Sequence, residues 1–155
     1  MKIIALSDVT GGRLKPTGFT GEDISAARTV ADLTTGAQVD PADVLYQPVD
    51  VLIPAALGGV INSENVKKIN AQFVIEAANQ PLTVDADRIL RSAGVTVVPD
   101  ILANSGGVVG SYFEWTQNIQ EFRWPISRFR DELDSRMQLA FKTVASTARQ
   151  HDCSL

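Results

Sequence analysis

Three runs of strand length, apolar on both faces, constrain this chain more than anything else in it. They are Val49–Ala56 (VDVLIPAA), Phe73–Asn79 (FVIEAAN) and Val95–Asp100 (VTVVPD). A strand with one wet face alternates apolar and polar residues, whereas a near-continuous apolar strand belongs to a parallel sheet covered by helices. A further β-rich run, Lys2–Asp8 (KIIALSD), ends in an acid. It is followed by VTGGRLKPTGFTG, whose four glycines and one proline predict a loop. TGEDISAARTVADLTTG reads as a helix, with Thr20 and Asp23 three apart at its start and Gly36 past its end. INSENVKKIN fits a short helix capped by Asn62 or Ser63. In TVDADRILRSAG, Thr83 is the cap, Asp85 and Asp87 come early, Arg88 and Arg91 late, and Gly94 is the stop, an order that suits the helix dipole. The helical period returns from Asn104 to about Asn118 and from Ile126 to about Gln150. The last helix carries apolar residues at Ile126, Phe129, Leu133, Met137, Ala140 and Val144. The alternation β-α-β-α-β-α-β, then two helices, predicts an α/β fold with a doubly wound parallel sheet.

The bulk properties narrow the function classes. A length of 155 residues makes about one domain, small for an enzyme that closes a cleft between two. The net charge of -4, without a basic cluster, argues against a nucleic-acid or anionic-membrane surface. No apolar run approaches the roughly 18 residues of a membrane span, and the amino terminus lacks a signal-peptide pattern. Cys153 is the only cysteine, so no internal disulfide forms, which fits a reducing cytoplasm. With His151 the only histidine, no transition-metal cluster is expected.

Candidate site residues lie at the carboxyl ends of the predicted strands, where α/β sheets bind ligands. Asp8 is either a turn-initiating acid or an acceptor for adenine-ribose hydroxyls that repels a 2′-phosphate. Arg13 and Lys15, in the following segment, are bases that a 2′-phosphate would meet. PAALGG (Pro54–Gly59) is either a tight turn or a place where small residues admit a ligand to the backbone. Asn79 either stabilises its turn or bonds a ribose hydroxyl. The block VPDILANSGGVVGSYFEW (Val98–Trp115) sets Asn104, Gly106-Gly107 and Ser111 in an apolar run. If its helix starts near Asn104, then Asn104, Val108 and Ser111 share one line of its surface. Two glycines in a first turn cost about 1 kcal/mol each against alanine, a cost that accompanies close approach of a backbone or ligand. Helix–sheet packing, with the serine bonded back to its own helix, accounts for the pattern equally well.

VDVLIPAALGG, VIEAANQPLTVDAD and above all VPDILANSGGVVGSYFEW resemble the cofactor-binding domain of the glutamate/leucine/phenylalanine/valine dehydrogenase family, and SDVTGGRLKPTGF resembles the segment after that domain's second strand. The resemblance runs over nearly the whole chain and implies NAD as cofactor, with NADP the alternative. It implies that Asp8 meets the adenine ribose, Ala55 and Ala56 lie against the cofactor, and Asn79 sits near the nicotinamide ribose. Asn104 would bond the nicotinamide amide or the amino-acid end of the substrate. Val108 and Ser111 would line the side-chain pocket, with Ser111 donating to a γ-carboxylate. Since a leucine or phenylalanine side chain would leave a buried hydroxyl unpaired, Ser111 favours glutamate. The implied partners are L-glutamate and 2-oxoglutarate in the full enzyme, and a homo-oligomer or a complementing chain with the amino-terminal half.

The departures also carry expectations. Ala77 stands where the family usually has glycine. The family's first strand, its GxGxxG turn, and the substrate domain with its catalytic lysines and aspartate would precede Met1. HDCSL stops where the family continues into a further helix. Residues 1–155 are thus expected to form a partial, truncated NAD(P)-binding domain with an incomplete Rossmann-like sheet, inactive by itself. The strand Lys2–Asp8, deprived of its usual neighbour, should repack, be poorly ordered, or pair with another chain. The rivals to an enzyme part are a non-catalytic remnant or split-protein module that associates with another chain, and a nucleotide-binding regulator.

Overall fold

The computed structural model describes residues 1–155. Its carboxyl-terminal two thirds carry the three parallel strands expected. Strands β4 (Val49–Leu52), β5 (Ala71–Ile75) and β6 (Thr96–Val98) form a parallel sheet in sequential order. The register sets Leu52 beside Val74 and Val74 beside Val97, so one sheet face is a continuous apolar row. Helix α2 (Val84–Ser92) supplies Ala86 and Leu90 to that row, and with Ile61, Val66 and Leu82 they make the central core. Thr83 caps α2 by accepting from the Ala86 amide, and Gly94 leaves it with φ 82°, as cap and stop predicted. On the opposite face, Phe73 is 42% exposed.

The amino-terminal third departs from expectation. Lys2–Asp8 joins no parallel sheet. Its strand β1 (Ile3–Asp8) pairs antiparallel with β2 (Gly11–Phe19), which pairs antiparallel with β3 (Ala37–Val39). β1 does not lie beside Val51–Ile53; it pairs with the segment that follows it. The glycines and proline of that segment predict loop, but the structure makes it strand β2. Val9-Thr10 makes a two-residue hairpin turn, closed by the Asp8–Gly11 pair. A Cβ on Gly12 would lie 2.7 Å from the Val39 carbonyl oxygen, so glycine there permits the strand contact. Pro16 and Gly18 fall in the bulge between the Ile3–Phe19 and Ala5–Leu14 pairs, where breakers are tolerated.

Two expected helices are shorter. Thr20 and Asp23 form a full capping box for α1, but α1 (Gly21–Ala26) stops after six residues. A second Thr-Asp box, Thr29 and Asp32, starts a separate 3₁₀ turn, and its Val30 amide is taken by the Asp8 carboxylate. The INSENVKKIN segment forms a 3₁₀ turn over Val66–Lys68 instead of a helix. Asn62 and Asn65 there satisfy backbone groups that a helix would need, the competition to which Asn is prone.

After β6 come α3 (Asp100–Ala103), α4 (Gly106–Ile119) and α5 (Ile126–Gln150). The helix expected from Asn104 to about Asn118 is α4, which starts two residues later; Asn104 and Ser105 separate it from the short α3. There the Ser105 hydroxyl donates back to the Leu102 carbonyl and lies 3.5 Å from Met137 Sδ on α5. The α4–α5 pair locks around Phe113, which is 1% exposed. Its ring meets Phe129 edge-on at 5.6 Å and Trp124 at 5.3 Å, with the Arg136 guanidinium 5.3 Å above it.

Candidate functional site

The carboxyl ends of β4, β5 and β6 open onto one edge, and their loops are tied to each other. The Ala78 amide donates to the Pro54 carbonyl, and the Gly59 amide donates to the Gln80 carbonyl at 2.8 Å. Gly58 passes beneath this joint, where a Cβ would lie 3.1 Å from the Asn79 carbonyl oxygen. That contact explains the glycine in PAALGG as loop-to-loop packing. Ala55 and Ala56 stand exposed beside it.

Asn79 and Asn104 meet at this edge. The Asn104 side-chain amide donates to Asn79 Oδ1 at 2.8 Å. Asn79 is exposed and Asn104 half-buried. Beneath them, Glu76 is 8% exposed and accepts from the Asp100 amide at 3.0 Å. The Asp100 carboxylate in turn accepts from the Gln80 amide at 2.8 Å. Burial pushes the Glu76 carboxyl above its ordinary value. Its bond from the Asp100 amide opposes that push, and the nearby Asp100 charge adds to it. Gly58 belongs to the PAALGG stretch read as a tight turn or a ligand approach, whereas Glu76 has no signal in the sequence beyond being an acid inside an otherwise apolar strand run.

The line of residues expected on one helix changes. Asn104 caps the end of α3, while Val108 and Ser111 belong to α4. Val108 is 74% exposed, Ser111 is exposed, and the Ser111 hydroxyl donates to the Gly107 carbonyl at 3.1 Å. The serine is therefore bonded back to its own helix, and its lone pairs remain open to solvent. A Cβ on Gly107 would meet nothing within 4 Å, and one on Gly106 would make ordinary contact with Leu133 and Met137. The glycine that admits a close neighbour is Gly110, where a Cβ would lie 3.2 Å from the Phe129 ring.

Asp8 lies at the end of β1, in the other sheet. Its carboxylate accepts from the Thr10 amide at 2.7 Å, from the Thr10 hydroxyl, and from the Val30 amide at 2.8 Å. The Thr10 hydroxyl first, and the Val30 amide next, hold it below the ordinary carboxylate range. A small cleft beside it is lined by Leu6, Ile24, Arg28, Val30 and Leu33. Arg13 and Lys15 are engaged elsewhere: Arg13 donates to the Gly36 carbonyl, and Lys15 pairs with Asp23 at 2.9 Å. The described residues hold no group of His, Cys, Asp and Glu that would bind a metal ion. No helix is long and apolar enough to cross a membrane.

Comparison with known proteins gives a consistent result. Residues 1–155 match the family described as Glutamate/Leucine/Phenylalanine/Valine dehydrogenase. The glutamate dehydrogenase of Thermotoga maritima is 40% identical over 158 aligned residues, which take in 99% of this chain and 38% of that protein. Among solved structures, the hetero-hexameric glutamate dehydrogenase of Thermus thermophilus in its leucine-bound form is similar with a TM-score of 0.87 at 29% identity. The match covers 99% of this chain and 37% of that one. The glutamate dehydrogenase of Peptoniphilus asaccharolyticus is similar with a TM-score of 0.76 at 30% identity, over 99% of this chain and 36% of that one. The chain thus spans well under half the length of these relatives.

Proposed function

This chain belongs to the glutamate/leucine/phenylalanine/valine dehydrogenase family, and from that premise we propose that it is the NAD(P)-binding part of a glutamate dehydrogenase. The whole enzyme would catalyse the reversible oxidative deamination of L-glutamate to 2-oxoglutarate and ammonia. Residues 1–155 would be part of its dinucleotide-binding domain. The β4 edge opposite β5 is where a parallel strand would add.

One observation carries the reading: the paired amides of Asn79 and Asn104 at the carboxyl edge of a parallel sheet. Their mutual bond uses one donor and one acceptor and leaves Asn104 Oδ1 and Asn79 Nδ2 for a ligand. A carboxamide or ribose, which offers both donors and acceptors, suits that pair. The exposed Ala55 and Ala56 leave room for a flat ring against the backbone, and the open space at Gly107 leaves room on the α4 side. The nicotinamide cofactor, when bound, supplies the hydride acceptor. The chain's own residues bind and orient. Asn79 and Asn104 fix the nicotinamide end, Val108 and Ser111 face the substrate side chain, and Ser111 donates to a γ-carboxylate by leaving Gly107.

For the adenine end, Asp8 is the acceptor, and its low-lying carboxyl stays ionised, which disfavours a 2′-phosphate and favours NAD. Arg28 in the same cleft is the base that NADP would need. The test is NADH titration of the chain, followed by glutamate-dependent NAD⁺ reduction after mixing with a separately expressed substrate domain. Saturable NADH binding with activity recovered on mixing supports the reading. Absence of both rejects it. By itself the chain is expected to be inactive, and turnover by the unmixed chain would refute that.

A second reading, a non-catalytic module that associates with another chain, draws on a different observation. Tyr112, Trp115 and Ile119 form an apolar stripe along α4, each more than half exposed. Stable association without recovered activity would favour it.

A further inference from the structure

We propose that Glu76 is a positioning residue: through the Asp100 amide it ties the loops after β4, β5 and β6 together and so holds Asn79 and Asn104 as a preformed amide pair. What the pair binds rests on the reading above; the bracket itself does not.

Glu76 is the only charged side chain among the buried residues. A carboxylate in such a place is unfavourable unless it accepts hydrogen bonds, and an apolar residue of similar size would cost less. What the carboxylate provides is an acceptor. It takes the Asp100 amide, the first amide of α3 and one that a helix leaves without an internal partner. Fixed in this way, Asp100 accepts the Ile101 amide with one oxygen and the Gln80 amide with the other.

Gln80 sits at φ 46°, a left-handed conformation that is unfavourable for a non-glycine residue. Two bonds hold it there: its amide to Asp100, and its carbonyl to the Gly59 amide of the β4 loop. Asn79 immediately precedes Gln80. At the other end of the bracket, Asn104 closes α3 by donating its backbone amide to the Asp100 carbonyl at 2.9 Å. Both asparagines are therefore placed by backbone that converges on Asp100, and Asp100 is placed by Glu76. The raised Glu76 carboxyl agrees with a group held in the core for its bonds and not for its charge.

The experiment is side-chain amide hydrogen exchange, read by NMR on the 155-residue chain without ligand, for wild type and for Glu76→Leu, Glu76→Gln and Val66→Ala. Glu76→Leu keeps the bulk but removes the acceptor, and should speed exchange of the Asn104 side-chain amide by roughly five- to tenfold, the worth of one hydrogen bond. Glu76→Gln keeps an acceptor oxygen and should restore a rate within about twofold of wild type. Val66→Ala loosens the same core without touching the bracket, and should leave that rate unchanged. If Glu76→Leu does not fold, Asp100→Ala removes the next link and should give the same acceleration. An unchanged Asn104 rate in the bracket variant, or an equal acceleration in Val66→Ala, overturns the proposal. NADH added to the wild-type sample tests the cofactor reading separately. Failure of NADH to shift the Asn79 and Asn104 signals would count against that reading and leave the exchange result as it stands.

Discussion

Asn79 and Asn104 are joined side chain to side chain at 2.8 Å, although they follow different strands and lie 25 residues apart. The bond lies at an exposed edge, where it contributes little to folding. Its consequence is for ligands, because each amide fixes which face of the other remains free. Asn104→Ala is expected to leave the urea midpoint nearly unchanged and to weaken NADH binding by about tenfold, the value of one to two hydrogen bonds. Asn79→Ala should behave alike, and the double variant should lose less than the product of the two, because the residues act as a unit. Fluorescence titration with NADH reads all three.

The glycines of α4 divide into two kinds, and stability measurements should separate them. At Gly110 a methyl would meet the Phe129 ring at 3.2 Å, inside the Phe113–Phe129–Trp124 cluster. Gly110→Ala is expected to lose the helix-propensity gain of about 1 kcal/mol to overpacking, because the Phe129 ring must give way by a few tenths of an ångström. At Gly107 a methyl meets open space, so Gly107→Ala should stabilise by up to about 1 kcal/mol from helix propensity. If the substrate approaches α4 at this point, Gly107→Ala also weakens glutamate binding in the reconstituted enzyme. Urea unfolding gives the first two values.

What was legible in the sequence was whatever local chemistry or periodicity enforces. The apolar runs around Leu52, Val74 and Val97 made the parallel sheet readable, because only a covered sheet accepts them. The Thr83 cap and the Gly94 stop bounded α2 for the same local reason. The hairpin of β1 with β2 was not legible, since Gly11, Gly12, Pro16 and Gly18 carry loop chemistry even where pairing across strands overrides it. The break in the expected helix after Ala26 depends on Asp8, a distant residue that captures the Val30 amide. Asn79 and Asn104 were each visible at a strand end, but their bond to one another is tertiary. Glu76 was not legible, since a buried acid in a strand run has no periodic signature.

Acid titration should show two carboxyls acting in opposite directions. Asp8 lies below its unfolded value of 3.8, so its hydrogen bonds stabilise the fold above that pH, and the stabilisation is lost as pH falls through the folded value. The stability gap between wild type and Asp8→Asn should therefore close on acidification below about 3.8. Glu76 is raised above 4.5, so the folded state holds its proton more tightly than the unfolded chain does. Its contribution falls as pH rises from 4.5 through the folded value. Glu76→Gln, which cannot ionise, should gain on wild type across that same window. Urea unfolding at a series of pH values measures both, and a Glu76→Gln gap independent of pH would contradict the assignment.

The α4 stripe yields the last prediction. Tyr112, Trp115 and Ile119 recur at spacings of three and four, so they fall on one face, beyond Val108. Their exposures are 54%, 57% and 63%, and the Tyr112 and Trp115 rings lie tilted with centroids 5.7 Å apart. A continuous aromatic and aliphatic row of this kind marks an association surface. The opposite side of α4 is closed against α5 by Phe113 and Gly110, so the stripe is what the helix has left to bury. The chain is therefore expected to self-associate in a concentration-dependent way, as read by light scattering behind size exclusion. Trp115→Glu should shift it to the monomer and change the urea midpoint by no more than a surface substitution does, within about 0.5 kcal/mol. A wild-type chain that stays monomeric at every concentration would remove the stripe as a contact between copies. A Trp115→Glu chain that unfolds would show that Trp115 supports the fold instead.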